Sequence, residues 1–138
     1  MIQRDYILRW TKELAMVLAR LMGKDPKQQI EIISEAYHGT LHFQPDELDE
    51  MPPERWLPFL TLERQLHEGQ LDFLAHLLSR EAEYYFSQQL ADKSRLKAQQ
   101  AIHIFDYLDQ QQATLSLERQ AVVTKLEHIL QTLAQQQQ

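Results

Sequence analysis

Residues 1–23, MIQRDYILRWTKELAMVLARLMG, form the stretch from which the fold is predicted. On an α-helix the apolar side chains of this stretch make one continuous arc that leaves a narrow polar strip. The arc consists of Tyr6, Ile7, Leu8, Trp10, Leu14, Ala15, Val17, Leu18, Ala19 and Leu21. A helix on the surface of a globular protein usually shows a much narrower apolar stripe. We therefore predict that this helix has neighbours on most of its sides and is the central helix of an all-α domain.

The remainder of the chain predicts further helices, because no segment shows the sustained alternation typical of a strand. Asp25 as N-cap and Pro26 as first helical residue begin a helix that we extend to about His42. Ser116 is expected to cap the last helix. Between these two, helical segments are expected at residues 46–50, from Pro53 onward, and at 61–67, 71–90 and 95–112. The prediction is one domain over residues 1–138, a bundle of about six helices of which two are short, with a proline-rich connector at 44–60 and a frayed glutamine tail at 135–138.

Length and composition restrict the possible functions. The chain has 138 residues, which suffice for a core of its own, and no cysteine. Disulfides, thiolate metal sites and thiol nucleophiles are therefore excluded, and a reducing cytoplasm is the expected compartment. The net charge of −6 argues against a nucleic-acid partner, since such proteins cluster Lys and Arg.

The charge is distributed unevenly along the chain. Residues 1–24 carry +3, which leaves −9 for the rest of a chain whose total is −6. We expect the basic first helix to form ion pairs with the acidic body. Charged residues interrupt every apolar run of this helix, and its polar strip is narrow and mixed in sign, so we expect neither a signal peptide nor a membrane partner.

The candidate metal site lies on the second predicted helix. Glu31, Glu35, His38 and His42 follow one another at helical spacing and share one face. Glu35, His38 and His42 are the residues we would assign to a divalent metal, and no other cofactor is expected. A di-iron centre would need a second Glu-x-x-His pair, which the sequence lacks. The alternative, which we favour, is a solvated polar face.

The connector holds the candidate docking residues. Trp56, Phe59 and Leu60 either fold onto the core, which we favour, or form an exposed apolar patch that binds a partner. Glu81 falls within the apolar arc of its helix, where an unpaired carboxylate would be costly. We expect a partly buried ion pair between Glu81 and Arg4.

Two stretches resemble known families. The opening Met-Ile-Gln-Arg-Asp-Tyr-Ile, followed by Leu14, Leu18 and Gly23, resembles the start of a family of short bacterial all-helical proteins of unknown function. This resemblance implies a bacterial helical protein and brings no catalytic residue with it. Residues 71–112 resemble a tetratricopeptide hairpin through Ala82-x-x-Tyr85 and Ala101-x-x-x-Phe105, although Ala113 stands where that repeat has its closing proline. The second resemblance implies two helices that pack as a hairpin.

From these features we expect a non-enzymatic protein that binds another protein or a second copy of itself, as an adaptor does. The alternative is a metal-binding protein or metalloenzyme with its site on the face of residues 31–42. The two differ in what they need from the fold. The first needs an exposed apolar groove or patch, and the second needs the Glu and His side chains to converge with a ligand from another helix.

Overall fold

The computed structural model describes residues 2–112 and 116–137, with side chains from residue 6 onward. Within these ranges the chain is helical and has no strand, so the predicted all-α class is confirmed. The helices are α1 (Ile2–Leu21), α2 (Pro26–Glu35), α3 (Asp46–Asp49), α4 (Pro53–Pro58), α5 (Glu68–Ser87), α6 (Ala91–Gln111) and α7 (Leu117–Gln136), with π-helical turns at Ala36–Thr40 and Phe59–Glu63. None of the helices in the described part of the chain is both long and apolar enough to cross a bilayer.

The centre of the fold is α5. Its residues Leu71, Leu74, Leu77 and Leu78 are each at most 1% exposed. Helices α1, α2, α6 and α7 all contact it. The apolar residues of α5 between Leu71 and Leu78 cover an arc of about 200° around the helix axis. The buried polar residues His76 and Ser79 extend the covered surface beyond this arc.

The prediction that the N-terminal helix is central is wrong. In α1 one stripe is buried against α5 and α2, formed by Trp10, Leu14, Val17 and Leu21. The other part of its apolar arc lies on the surface, where Leu8 is 54% and Met16 is 61% exposed. The width of an apolar arc shows how much surface a helix offers for packing, and it does not show how much of that surface the same chain covers.

The hairpin predicted for residues 71–112 is present as α5 and α6, which residues 88–90 connect. Ala82, Ala98 and Ala101 are completely buried. Small side chains at these positions allow the two helix axes to approach closely. The hydroxyl of Ser94 on α6 donates a 2.8 Å hydrogen bond to the carbonyl oxygen of Ala82 on α5, which joins the two helices where they are nearest.

Local capping signals were predicted well. The carboxylate of Asp25 accepts a 2.8 Å hydrogen bond from the amide of Gln28, and Pro26 follows as the first residue of α2. The hydroxyl of Ser116 accepts a 3.1 Å hydrogen bond from the amide of Arg119, as expected of an N-cap. Helix α6 begins at Ala91, however, four residues before the predicted start.

Two predicted helices have different ends. The helix from Pro26 does not continue regularly to His42, because it widens into a π-helical turn after Glu35 and His42 has a φ of 55°, which stops any helix. The segment 61–67 does not form a separate helix. Residues 61–63 complete the π-helical turn that begins at Phe59, and residues 64–67 are not helical. His67 is the N-cap of α5, with Nδ1 accepting a 3.1 Å hydrogen bond from the amide of Gly69.

Gly69 is the second residue of α5. It is buried where α1 crosses the first turn of α5. A Cβ atom at this position would lie 3.0 Å from Cδ1 of Trp10, closer than such atoms normally approach. The missing side chain lets the indole of Trp10 rest directly on the backbone of α5.

We expect truncations in α5 to destabilise the protein far more than truncations on the outer surface of α1. Leu74→Ala should lower the free energy of unfolding by about 2–5 kcal/mol, because it leaves a cavity in a fully packed core. Leu8→Ala, at a side chain that is 54% exposed, should change it by less than about 1 kcal/mol. Urea denaturation followed by circular dichroism measures both values. Similar losses for the two variants would contradict the central position of α5.

Candidate functional site

A groove runs over α5 between α1 and α7. It has three parts, with volumes of about 330, 150 and 270 Å³, and Leu18 of α1 lines each of them. The first two lie between α1 and α7, and the third lies where α1 and α2 meet the C-terminal half of α5. We call these three parts together the α5 groove.

The α1 wall of the α5 groove is largely apolar. Ile7, Leu14 and Leu18 line it, and Ile7 is 42% exposed. Next to this wall, on the outward side of α1, lies a strip formed by Leu8, Ala15, Ala19 and Met22. We call this the outer strip. Leu8 is 54% and Met22 is 77% exposed, so apolar surface continues from inside the groove onto the face of α1 that is directed to solvent.

Charged side chains form the opposite wall. Arg119 of α7 is buried to 7% exposure, and its Nη1 donates a 2.7 Å hydrogen bond to Oδ1 of Asp109. Its Nη2 lies 3.5 Å from Oδ1 of Asp72 on α5, and Nη1 also donates to the side-chain oxygen of Gln112 at 3.2 Å. Two carboxylates thus hold one buried guanidinium, which fixes the beginning of α7 against α5 and α6.

Two buried donors in this part of the groove have no acceptor among the described residues. They are the indole Nε1 of Trp10 and the Nε of Arg119. Both residues line the first part of the groove. A buried N–H without a partner costs about 1–3 kcal/mol of folding free energy. Both atoms are shut off from the open space of the groove, so they are a feature of the packing around it.

His76 lies at the floor of the groove, where its ring stacks edge-on against Phe105 with centroids 5.0 Å apart. Burial lowers the pKa of His76 below its usual value, although Asp72 acts in the opposite direction. The 3.7 Å between Nε2 of His76 and Oδ1 of Asp72 is too long for a hydrogen bond. His76 is therefore a neutral packing residue at neutral pH, in the chemical environment of a core and not of a general base.

The three residues predicted to bind metal are not gathered into a site. Glu35 forms an exposed ion pair with Arg20 at 2.9 Å, and His38 and His42 are exposed. The π-helical turn that follows Glu35 changes the angular spacing, so the face expected at residues 31–42 does not continue as one helical face. In the described ranges no three His, Asp or Glu side chains converge as a metal site requires. The metal interpretation stays a prediction without geometric support.

The three predicted docking residues belong to the core. Trp56 is 2% and Leu60 is 0% exposed, while Phe59 is half-buried and packs against the core cluster. The indole Nε1 of Trp56 donates a 2.9 Å hydrogen bond to the carbonyl oxygen of Leu48, which ties α4 to α3. The connector therefore folds onto the bundle, and these side chains form no exposed patch on the monomer.

Glu81 is buried, as its position in the sequence indicated, with 7% exposure. Its Oε1 accepts a 2.7 Å hydrogen bond from the hydroxyl of Tyr37. Burial together with Glu81 raises the pKa of Tyr37 and of Tyr85. The side chain of Arg4, the predicted partner, lies outside the described residues. The hydrogen bond from the phenol of Tyr37 offsets part of the free-energy cost of burying the carboxylate of Glu81, and it does so without a second charge.

Sequence reasoning missed the residues that line the α5 groove. Asp72 and His76 carry a recognisable i, i+4 spacing, but Asp72 and Arg119 are 47 positions apart and no local pattern connects them. The width of the apolar arc of α1 was the clearest indication of this groove in the sequence. We had predicted that the whole arc would be buried in the core, whereas part of it lies at the surface.

Comparison with known proteins gives no match: no protein-family model, no curated protein and no solved structure is similar to this chain. The geometry of the α5 groove and the outer strip is thus the basis for a functional proposal.

Acidification should destabilise the protein through the two histidines whose pKa is lowered in the folded state, His76 and His67. A histidine whose pKa is lowered by folding is neutral in the folded state and takes up a proton in the unfolded state below about pH 6.5. The free energy of unfolding should therefore fall as the pH decreases below that value, with contributions from His76 and His67. Denaturation measured in steps between pH 8 and 5 provides the slope.

His76→Gln should reduce this pH slope, and His38→Gln, at an exposed position, is the matched control that should leave it unchanged. Equal slopes for the wild-type protein and the His76→Gln variant would show that the ring is not a buried neutral group.

Proposed function

We propose that this protein is a non-enzymatic interaction protein that binds an amphipathic helix in the α5 groove. The observation that carries the proposal is the incomplete cover of α1: its buried stripe is continuous with an exposed apolar strip of Leu8, Ala15, Ala19 and Met22. Monomeric soluble proteins rarely leave such contiguous apolar surface without a use. A helix laid along a groove between two helices is a common mode of peptide recognition.

The shape and chemistry of the groove support this mode. Two helical walls, α1 and α7, border a floor formed by α5, and α1 alone is about 30 Å long at 1.5 Å per residue. The bound helix would place apolar side chains against Ile7 and Leu18 and polar ones towards Arg119 and Asp72.

The proposal includes the expected setting. A cytoplasmic bacterial protein that acts as an adaptor agrees with the absence of cysteine and with the resemblance of the N-terminal segment, and we keep both as part of the proposal. The partner is another protein or a second copy of this chain. The metal alternative has no comparable observation in its favour.

Site-specific photocrosslinking tests the proposed function. A photoreactive residue at Ala15, in the wall of the groove, should form a covalent adduct of defined mass in cells of the source organism. The same residue at Leu62, which is 73% exposed and distant in sequence from every groove residue of α1, is the matched control and should give no such adduct.

Two further results decide the interpretation. Leu18→Glu, which places a charge inside the groove, should remove the adduct formed from Ala15, provided that circular dichroism shows the variant to be folded; Thr11→Lys, at an exposed position in the same wall, serves if it is not. Equal adduct formation from Ala15 and Leu62, or an adduct that neither variant weakens, would contradict a binding function of the groove.

A further inference from the structure

Another pocket, of about 470 Å³, lies where the N-terminal part of α1 and the beginning of α5 meet α6 and the π-helical turn after α4. Three aromatic rings line it, those of Tyr6 on α1, His67 before α5 and Tyr107 on α6. Leu66 and Leu71 add apolar surface. We call it the aromatic pocket. Its volume is within the range of about 300–1,000 Å³ that is typical of small-molecule sites.

Packing within the chain holds the aromatic wall of this pocket in place. The ring of Tyr6, which is 41% exposed, meets the ring of His67 edge-on with centroids 4.1 Å apart. The ring of Trp10 lies 6.1 Å from that of His67 and 5.3 Å from that of Phe73, and both Trp10 and Phe73 are buried. A wall that is ordered in the free protein loses little conformational entropy when a ligand binds.

The electrostatic character of the aromatic pocket is negative. Among the described residues that line it, Glu68 is the one charged residue, and it is half-buried. Burial lowers the pKa of His67, although Glu68 acts in the opposite direction, so the imidazole is neutral at pH 7. The faces of the two tyrosine rings carry partial negative charge. A carboxylate and aromatic faces together attract a cation.

The beginning of α5 does not turn the pocket into a site for anions. Amides in the first turn of a helix often bind anions, but two of the amides here already have acceptors. The side-chain oxygen of Gln70 accepts a 3.1 Å hydrogen bond from the amide of His67, and Nδ1 of His67 accepts a 3.1 Å hydrogen bond from the amide of Gly69. The partial charge of a helix N-terminus is about half an elementary charge, which the full charge of Glu68 exceeds.

We propose that the aromatic pocket binds a small organic cation, an ammonium group carried by an apolar body. The ammonium group pairs with the carboxylate of Glu68 and lies against the rings of Tyr6 and Tyr107. The apolar body covers Leu66 and Leu71. This inference goes beyond the proposed function and does not depend on it, although Glu68 also lines the first part of the α5 groove.

The other two charge states of the same apolar body are disfavoured. A neutral ligand would remove water from the carboxylate of Glu68 without replacing the lost interaction. An anionic ligand would meet this carboxylate as a like charge and would find no Lys or Arg among the described residues of the pocket. The net charge of −6 on the whole chain further raises the local concentration of cations.

NMR titration of the isotope-labelled chain, at pH 7 and constant ionic strength, tests the proposal. The three probes share one apolar body and differ in charge: phenethylammonium, phenethyl alcohol and hydrocinnamate. We expect phenethylammonium to shift the amide signals of Thr61, His67 and Glu68 with a dissociation constant of about 1 mM. Phenethyl alcohol should bind about fivefold more weakly, because it lacks the charge, and hydrocinnamate more weakly still.

Two variants separate the carboxylate from the aromatic ring. Glu68→Gln keeps the shape of the side chain and removes its charge, so it should weaken phenethylammonium about fivefold and leave phenethyl alcohol unchanged. Tyr6→Leu keeps apolar surface and removes a ring, so it should weaken phenethylammonium about threefold. Glu54→Gln, at an exposed glutamate in the first turn of α4, is the matched control and should bind as the wild-type protein does.

The wild-type titrations decide the proposal even if circular dichroism shows a variant to be unfolded. Phenethyl alcohol that binds as tightly as phenethylammonium would overturn it in favour of an uncharged apolar pocket, and hydrocinnamate that binds most tightly would overturn it in favour of an anion site. No shifts at these amides with phenethylammonium about tenfold above the expected dissociation constant would also overturn it. So would equal effects of Glu68→Gln and Glu54→Gln, because the charge of the whole chain would then attract the cation.

Discussion

The fold depends on the enclosure of α5. Nine consecutive positions of α5 include eight buried residues: Leu71, Phe73, Leu74, Ala75, His76, Leu77, Leu78 and Ser79. Four other helices cover this segment, and each of them contributes one buried stripe. The hairpin with α6 covers one side closely through Ala98 and Ala101. Gly69 permits a similarly close approach by Trp10 on the other side. The α5 groove exists because α1 and α7 reach α5 from different sides and leave a gap above it.

Local features of the fold could be predicted because local sequence determines them. Helical periodicity indicates the all-α class and the hairpin of residues 71–112. The N-caps at Asp25 and Ser116 depend on a side chain that accepts a hydrogen bond from an amide three residues later. The identity of the central helix depends on which segment the chain encloses. The apolar arc of α1 is wide, but α5 is the enclosed helix because α1, α2, α6 and α7 all pack against it. The π-helical turns at residues 36–40 and 59–63 likewise have no local signal.

The site could be predicted only in part. The buried position of Glu81 followed from its helical phase, while its partner Tyr37 lies 44 positions away and could not be found by spacing. The cluster of Asp72, Asp109 and Arg119 depends on the packing of three helices. Helical spacing placed Glu35, His38 and His42 on one face, and the irregular helix after Glu35 removed that face. Apolar surface that the fold leaves exposed is what connects the sequence to a function here.

Helix α1 is buried on one side and exposed on the other, whereas α5 is enclosed. The backbone hydrogen bonds of α1 should therefore open more readily than those of α5. Hydrogen exchange of the backbone amides in dilute solution tests this directly. We predict that residues 71–82 of α5 exchange most slowly and that residues 10–21 of α1 exchange faster. Protection of α1 equal to that of α5 would contradict the central position of α5, because α1 would then be enclosed by its own chain.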